Sequence, residues 1–145
     1  MSIDKIVRIF VVLTLVLSCS AKKDKIYDHY FKPKLERVGL GMYSGKIIVL
    51  ANDACHKCSY YLFNKKNILP CNTVIIYDTT VYGNILRPDS CHYFIAESDD
   101  VLARINYPNI YGHRIYWIEL NRIKRVKELN SMNVDSIHFF LSNNY

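Results

Sequence analysis

The sequence predicts an α/β sandwich, with a central mixed sheet of about 4–5 strands and helices on both faces. Three observations predict it. Short apolar runs rich in β-branched residues recur along the chain, as strands buried on both faces require. Helix signals fall between those runs, so that strand and helix alternate. The last two strand-like segments follow each other closely enough to form a hairpin.

Lys5 and Arg8 precede an apolar run from Ile9 to Leu17. A membrane-spanning helix needs about 20 such residues, so this run has the length of a signal-peptide core instead. The stretch Val16-Leu17-Ser18-Cys19-Ser20 resembles a bacterial lipobox. That resemblance implies cleavage before Cys19, a diacylglyceryl group on its sulfur, and a product tethered to a membrane of the bacterial cell envelope. It would face the periplasm or the exterior. Residues 1–18 then form the signal peptide and residues 19–44 a lipidated tether and N-terminal extension. An ordinary signal peptide or a short buried helix is the competing reading of the same residues. Ser20 to Lys25 is polar, and Ile26 to Arg37 reads as irregular chain or a helix broken by Pro33.

Residues 45–145 form the domain. Lys46 to Ala51 is the first buried strand, and Ser59 to Asn67 a helix stopped by Pro70. Thr73 to Tyr77 and His92 to Ala96 are the second and third strands. Ser98, Asp99 and Asp100 supply capping oxygens and negative charge for a helix from Asp100 to Asn106. His113 to Leu120 is a fourth strand, turned at Asn121-Arg122 into Ile123 to Glu128. Strict alternation in that last segment puts Arg122, Lys124 and Val126 on one face and Ile123, Arg125 and Lys127 on the other. A last helix begins near Asn133 or Asp135.

The net charge is +6, with its densest basic cluster at Arg122, Lys124, Arg125 and Lys127. Charge on a solvated edge strand accounts for that cluster, and export argues against a nucleic-acid partner. The sequence lacks a phosphate-binding glycine loop, a G-x-S-x-G elbow, an H-E-x-x-H pair and EF-hand spacing.

The chemistry centres on Cys55-His56-Lys57-Cys58. Two cysteines at i and i+3 lie close together at the start of a helix. First-turn N–H groups and the positive end of the dipole stabilise a Cys55 thiolate, and His56 and Lys57 push the same way. Cys55 would attack and Cys58 would resolve the mixed disulfide. Cys71 and Cys91 each precede a strand. They could meet as a structural disulfide worth roughly 3 kcal/mol, or form a second redox pair. Cys55, His56, Cys58, Cys91 and His92 also offer ligands for zinc or copper, but without the second C-x-x-C of a zinc ribbon. His29, His113 and His138 read as surface or packing residues rather than catalytic ones.

This order of elements resembles the thioredoxin-like fold, in particular membrane-tethered TlpA-like thiol–disulfide proteins. Gly45 to Leu50 leading into Cys55–Cys58 is similar to that family's "GK-strand-CxxC". His92 to Glu97 with Asp99 to Ile105, the segment Arg114 to Val126, and Ser131 to Asn143 are similar to its inserted strand and helix, its hairpin and its closing helix. The sequence departs from the pattern in carrying Ala54 where an aromatic precedes the first cysteine. Gly112-His113-Arg114 stands where the family has its cis-proline, so His113 joins His56 and Lys57 as a residue placed to tune the pair. The resemblance implies a lipid-anchored thiol–disulfide oxidoreductase acting on protein thiols or disulfides, with no cofactor and no metal. The alternatives are a non-catalytic lipoprotein binding module with structural disulfides, and a copper- or zinc-handling protein on the same scaffold.

Overall fold

The computed structural model describes residues 5, 7, 8, 23–51, 58, 59, 62, 69–83, 86, 89–98, 101, 102, 105, 112–130 and 132. The chain divides into two compact units, Met1–Gly41 and Met42–Tyr145. In the first, a π-helical turn, Tyr27–Phe31, runs into helix α1, Lys32–Arg37. The Lys32 N–H donates to the Tyr27 carbonyl, five residues back. This wider turn comes immediately before Pro33, whose ring would crowd the carbonyl four residues earlier in a regular α-helix. Pro33 is thus accommodated and the helix continues. Tyr27, Phe31 and Leu35, at helical spacing, are buried. Among the described residues, no helix is long and apolar enough to cross a membrane.

The second unit is an α/β fold built on one mixed, five-stranded sheet. Its strands are β1 (Gly45–Val49), β2 (Val74–Tyr77), β3 (Tyr93–Ala96), β4 (His113–Glu119) and β5 (Arg122–Leu129). Their spatial order is β3-β2-β1-β4-β5. β1 and β2 are parallel, as are β2 and β3, while β4 runs antiparallel to both β1 and β5. Central β1 is paired along both edges, and Ile47, Ile48 and Val49, which point alternately to the two faces, are all buried; both faces are covered there, which is why the run does not alternate.

A short helix, α2 (Thr79–Tyr82), follows β2 directly and is an addition to the elements expected from sequence. Asp78 caps it, its Oδ1 accepting from both the Thr80 N–H and the Thr80 hydroxyl at 2.7 Å. The core on one sheet face joins Ile48, Leu50, Ile75, Ile115, Trp117 and Leu129 to Cys58, Leu62, Leu69 and Tyr82. On the opposite face, the Tyr116 hydroxyl donates to the Ile105 carbonyl at 3.0 Å.

The hairpin differs from the sequence expectation in two ways. Its turn is Leu120-Asn121, one residue earlier than Asn121-Arg122, because Glu119 pairs with Arg122. Both turn residues have positive φ, 47° and 62°, as a two-residue turn matching the twist of its strands demands. Tyr43 and Ser44 hold it there. The Tyr43 N–H donates to Asn121 Oδ1 at 2.8 Å, the Asn121 N–H returns to the Tyr43 carbonyl, and the Leu120 N–H donates to Ser44 Oγ. Second, the register shifts between Trp117 and Ile118, which pair with Arg125 and Ile123, leaving Lys124 as the extra residue of a bulge. Ile123 and Arg125 therefore lie on opposite faces, not on one. Ile123 is buried and the Arg125 guanidinium lies 5.3 Å from the centre of the Trp117 ring.

Candidate functional site

The site forms where β1 ends and β4 begins. After Val49, the Leu50 N–H still pairs with the Ile76 carbonyl, but the Ala51 N–H turns away from the sheet. It donates instead to Nδ1 of His113 at 3.2 Å. A backbone amide can only donate, so Nδ1 is the bare nitrogen and the ring proton sits on Nε2. Nε2 then donates to Ser59 Oγ at 2.8 Å. From the other side, the Tyr82 hydroxyl donates to the Ala51 carbonyl at 2.7 Å and lies 3.5 Å from Ser59 Oγ.

These contacts make a polar ring through Ala51, His113, Ser59 and Tyr82, whose members come from four separate parts of the domain. All four are buried, and His113 has no exposure at all. In so dry a setting, each polar atom requires its partner. The Tyr82 and His113 rings also meet edge to face, 6.4 Å apart.

Cys58 is the neighbour of this ring in sequence. It lies on helix, carries a thiol and is completely buried among the core residues. The ring thus clamps the residue next to Cys58 to the ends of two strands. Of the residues selected from sequence, Cys58 and His113 reach this end of the sheet. Cys19, Cys55, His56 and Lys57 lie outside the described residues, as does the expected closing helix from Asn133 or Asp135. Ser59 and Tyr82 were not singled out from sequence. The one signal for Tyr82 was Asp78 followed by two threonines, a capping pattern that makes a helix ending on that tyrosine.

Cys71 and Cys91 form a disulfide, with their Cα atoms 4.8 Å apart. Each precedes a strand, and since β2 and β3 are parallel the bridge lies at the end of the sheet opposite Ala51. Around it, the Asn72 N–H donates to the Cys91 carbonyl and the Tyr93 N–H to the Thr73 carbonyl. Asp89 Oδ1 accepts from the N–H groups of Cys91 and His92, and His92 Nδ1 lies 2.8 and 3.0 Å from the two carboxylate oxygens. The other His92 nitrogen is 3.4 Å from the Leu69 carbonyl. Cys91 is therefore oxidised and His92 engaged at both nitrogens. Among the described residues, no group of three or more His, Cys, Asp or Glu is placed to hold a metal ion. Compared with known protein families, curated proteins and solved structures, the chain matches none.

Proposed function

We propose that this protein is a thioredoxin-like, lipid-anchored thiol–disulfide oxidoreductase of a bacterial cell envelope. One observation carries the reading: Cys58, second cysteine of Cys55-His56-Lys57-Cys58, is a buried thiol on helix beyond the end of central strand β1. Burial suits a resolving thiol, which must be kept from solvent and reached only from the partner cysteine one turn earlier. In the reductive direction, the Cys55 thiolate attacks a substrate disulfide and expels one substrate thiolate. The Cys58 sulfur, giving up its proton to that thiolate, then attacks Cys55 and expels the second. Two electrons reach the substrate and the protein is left with a Cys55–Cys58 disulfide. The lipobox at Cys19 would hold the domain at a membrane while it meets protein thiols or disulfides.

His113 supports a second reading. In the family that the sequence resembles, this position before the hairpin strand faces the cysteines and grips substrate. Here His113 is fully buried and tied to Ser59 and Ala51. That favours a scaffold kept for binding, its cysteines structural. The rate of Cys55 alkylation against pH decides between the two. A redox protein should show a Cys55 pKa well below the free value of about 8.5. It should reduce insulin disulfides, lose that activity in Cys55→Ser and keep it in Cys71→Ser. An unperturbed Cys55 in an inert wild-type protein refutes the oxidoreductase.

A further inference from the structure

The chain between Ala51 and Ser59 carries both cysteines of Cys55-His56-Lys57-Cys58, and its two ends are bound to one side chain. At the entrance, the Ala51 N–H donates to Nδ1 of His113 at 3.2 Å. At the exit, Nε2 of the same imidazole donates to Ser59 Oγ at 2.8 Å. The bonded atoms of the two ends therefore stand no farther apart than two hydrogen bonds and the width of one ring. We propose that His113 is a positioning residue for the cysteine pair, stapling both ends of this segment and so favouring the Cys55–Cys58 disulfide over the dithiol. The proposal rests on the oxidoreductase reading above.

The staple is anchored in the sheet. His113 is the first residue of β4, paired with Leu129 of β5, and its neighbour Arg114 pairs with Val49 of β1. Ala51, Ser59 and His113 are all buried, so water does not compete for these bonds. Tyr82 grips the entrance a second time, its hydroxyl donating to the Ala51 carbonyl at 2.7 Å. At the exit, the held residue is the backbone neighbour of Cys58, the resolving thiol, which is itself packed in the core with Leu50, Tyr82 and Ile115. When both ends of a segment are held by the fold, less of its ordering is left to be done when the disulfide closes. In exchange with glutathione disulfide, the Cys55–Cys58 bond forms and the glutathione S–S bond breaks. Two electrons pass to glutathione, and the two thiol protons end on its two thiols. The constant of this exchange measures the effective concentration of one cysteine at the other, and the staple raises it. A disulfide so favoured makes the dithiol the stronger reductant, the direction written above.

The experiment equilibrates the full chain across ratios of reduced to oxidised glutathione, quenches by alkylation, and reads Cys55 and Cys58 by mass spectrometry. Reading those two residues directly keeps the Cys71–Cys91 bridge out of the result. His113→Phe, which lacks both hydrogen bonds, should lower the constant about tenfold, the equivalent of freeing about one residue of backbone. That fall raises the reduction potential by about 30 mV. Tyr82→Phe loses one bond to the segment and should lower the constant about threefold. Tyr116→Phe loses a buried bond outside the segment, to the Ile105 carbonyl, and should stay within about twofold of wild type. A merely structural loss weakens the oxidised and reduced proteins alike and leaves the constant in place. A His113→Phe constant within about twofold of wild type, or an equal fall in Tyr116→Phe, would overturn the staple. Should His113→Phe fail to fold, an unmoved constant in Tyr82→Phe overturns it instead. Wild-type protein that never pairs Cys55 with Cys58 at any ratio would overturn the oxidoreductase and the staple together, whereas normal pairing with unmoved constants overturns the staple alone.

Discussion

Replacing His113 tests whether the polar ring fastens the end of β1 to the helix that carries Cys58. His113→Ala removes two buried hydrogen bonds, to the Ala51 N–H and to Ser59 Oγ. A buried donor or acceptor left without its partner costs about 1–3 kcal/mol. The residue has zero exposure, so a cavity is added to that cost. The expected loss is about 3–5 kcal/mol, which at typical urea slopes lowers the unfolding midpoint by about 2 M or more. His113→Phe restores most of the volume and still strands the Ala51 amide, so about 2 kcal/mol should remain lost. Tyr82→Phe removes the bond to the Ala51 carbonyl and should cost about 1–2 kcal/mol by itself. Both side chains grip the same peptide, so the double variant should show a coupling of about 1 kcal/mol. Urea unfolding followed by Trp117 emission measures all four proteins. If His113→Phe costs less than about 0.5 kcal/mol and couples to Tyr82→Phe not at all, the ring does not fasten this end of the sheet.

Replacing both Cys71 and Cys91 by serine should cost about 3 kcal/mol, from the loop closed by a separation of 20 residues, without changing Cys55 reactivity. Altered Cys55 alkylation in that variant would instead assign the bridge to a second redox pair. Leu120 is 68% exposed at φ 47°, so Leu120→Asn should stabilise the hairpin by about 0.5–1 kcal/mol, read as a rise in thermal midpoint. Burial, reinforced by Asp28 and Glu36, pushes Tyr27 up to about 12. Burial also raises Tyr116, against an opposing pull from Arg114. Both pKa values are raised, so the stability they contribute is complete below the ordinary value of about 10 and is lost as pH rises through the folded values. Phenolate absorbance of the wild-type protein against Tyr27→Phe and Tyr116→Phe should show these two phenols ionising only on alkaline unfolding. Ionisation of every tyrosine near pH 10 in the folded protein would refute this.

The strands were legible because the sheet buries both faces of its middle. Ile47-Ile48-Val49 and Ile75-Ile76 have no polar face to present, and such runs stand out in any sequence. Spacing brought Cys71 and Cys91 together as a possibility, since parallel neighbours align whatever immediately precedes them. What sequence could not supply was set by contacts distant along the chain. Turn choice at Leu120-Asn121 is decided by Tyr43 and Ser44, more than seventy residues away. The bulge at Lys124 resolves a conflict between Ile123, which is buried, and Arg125, which lies over Trp117, and strict alternation cannot meet both demands. His113 was singled out for its place before the hairpin strand, but its partners Ser59 and Tyr82 have no pattern linking them to it. Only the topology joins them.

That topology also explains why the cross-link and the candidate site occupy opposite ends. In a parallel set, all segments that follow strands emerge at one end and all that precede them gather at the other. Ala51, Ser59 and Tyr82 follow β1 or β2, and antiparallel β4 starts where they finish, so His113 joins them. Cys71 and Cys91 precede β2 and β3 and meet roughly 17 Å away along strands of about five residues. At that end the bridge has a mechanical task, because among the described residues β3 is an edge strand of four residues paired with β2 alone. Reduction of the bridge should loosen β3 first, while β1 keeps its pairing with β4 and the ring at Ala51 stays closed. Hydrogen exchange would then rise at Tyr93–Ala96 before it rises at Arg114–Trp117. The reverse order would mean that the two ends of the sheet are not mechanically separate.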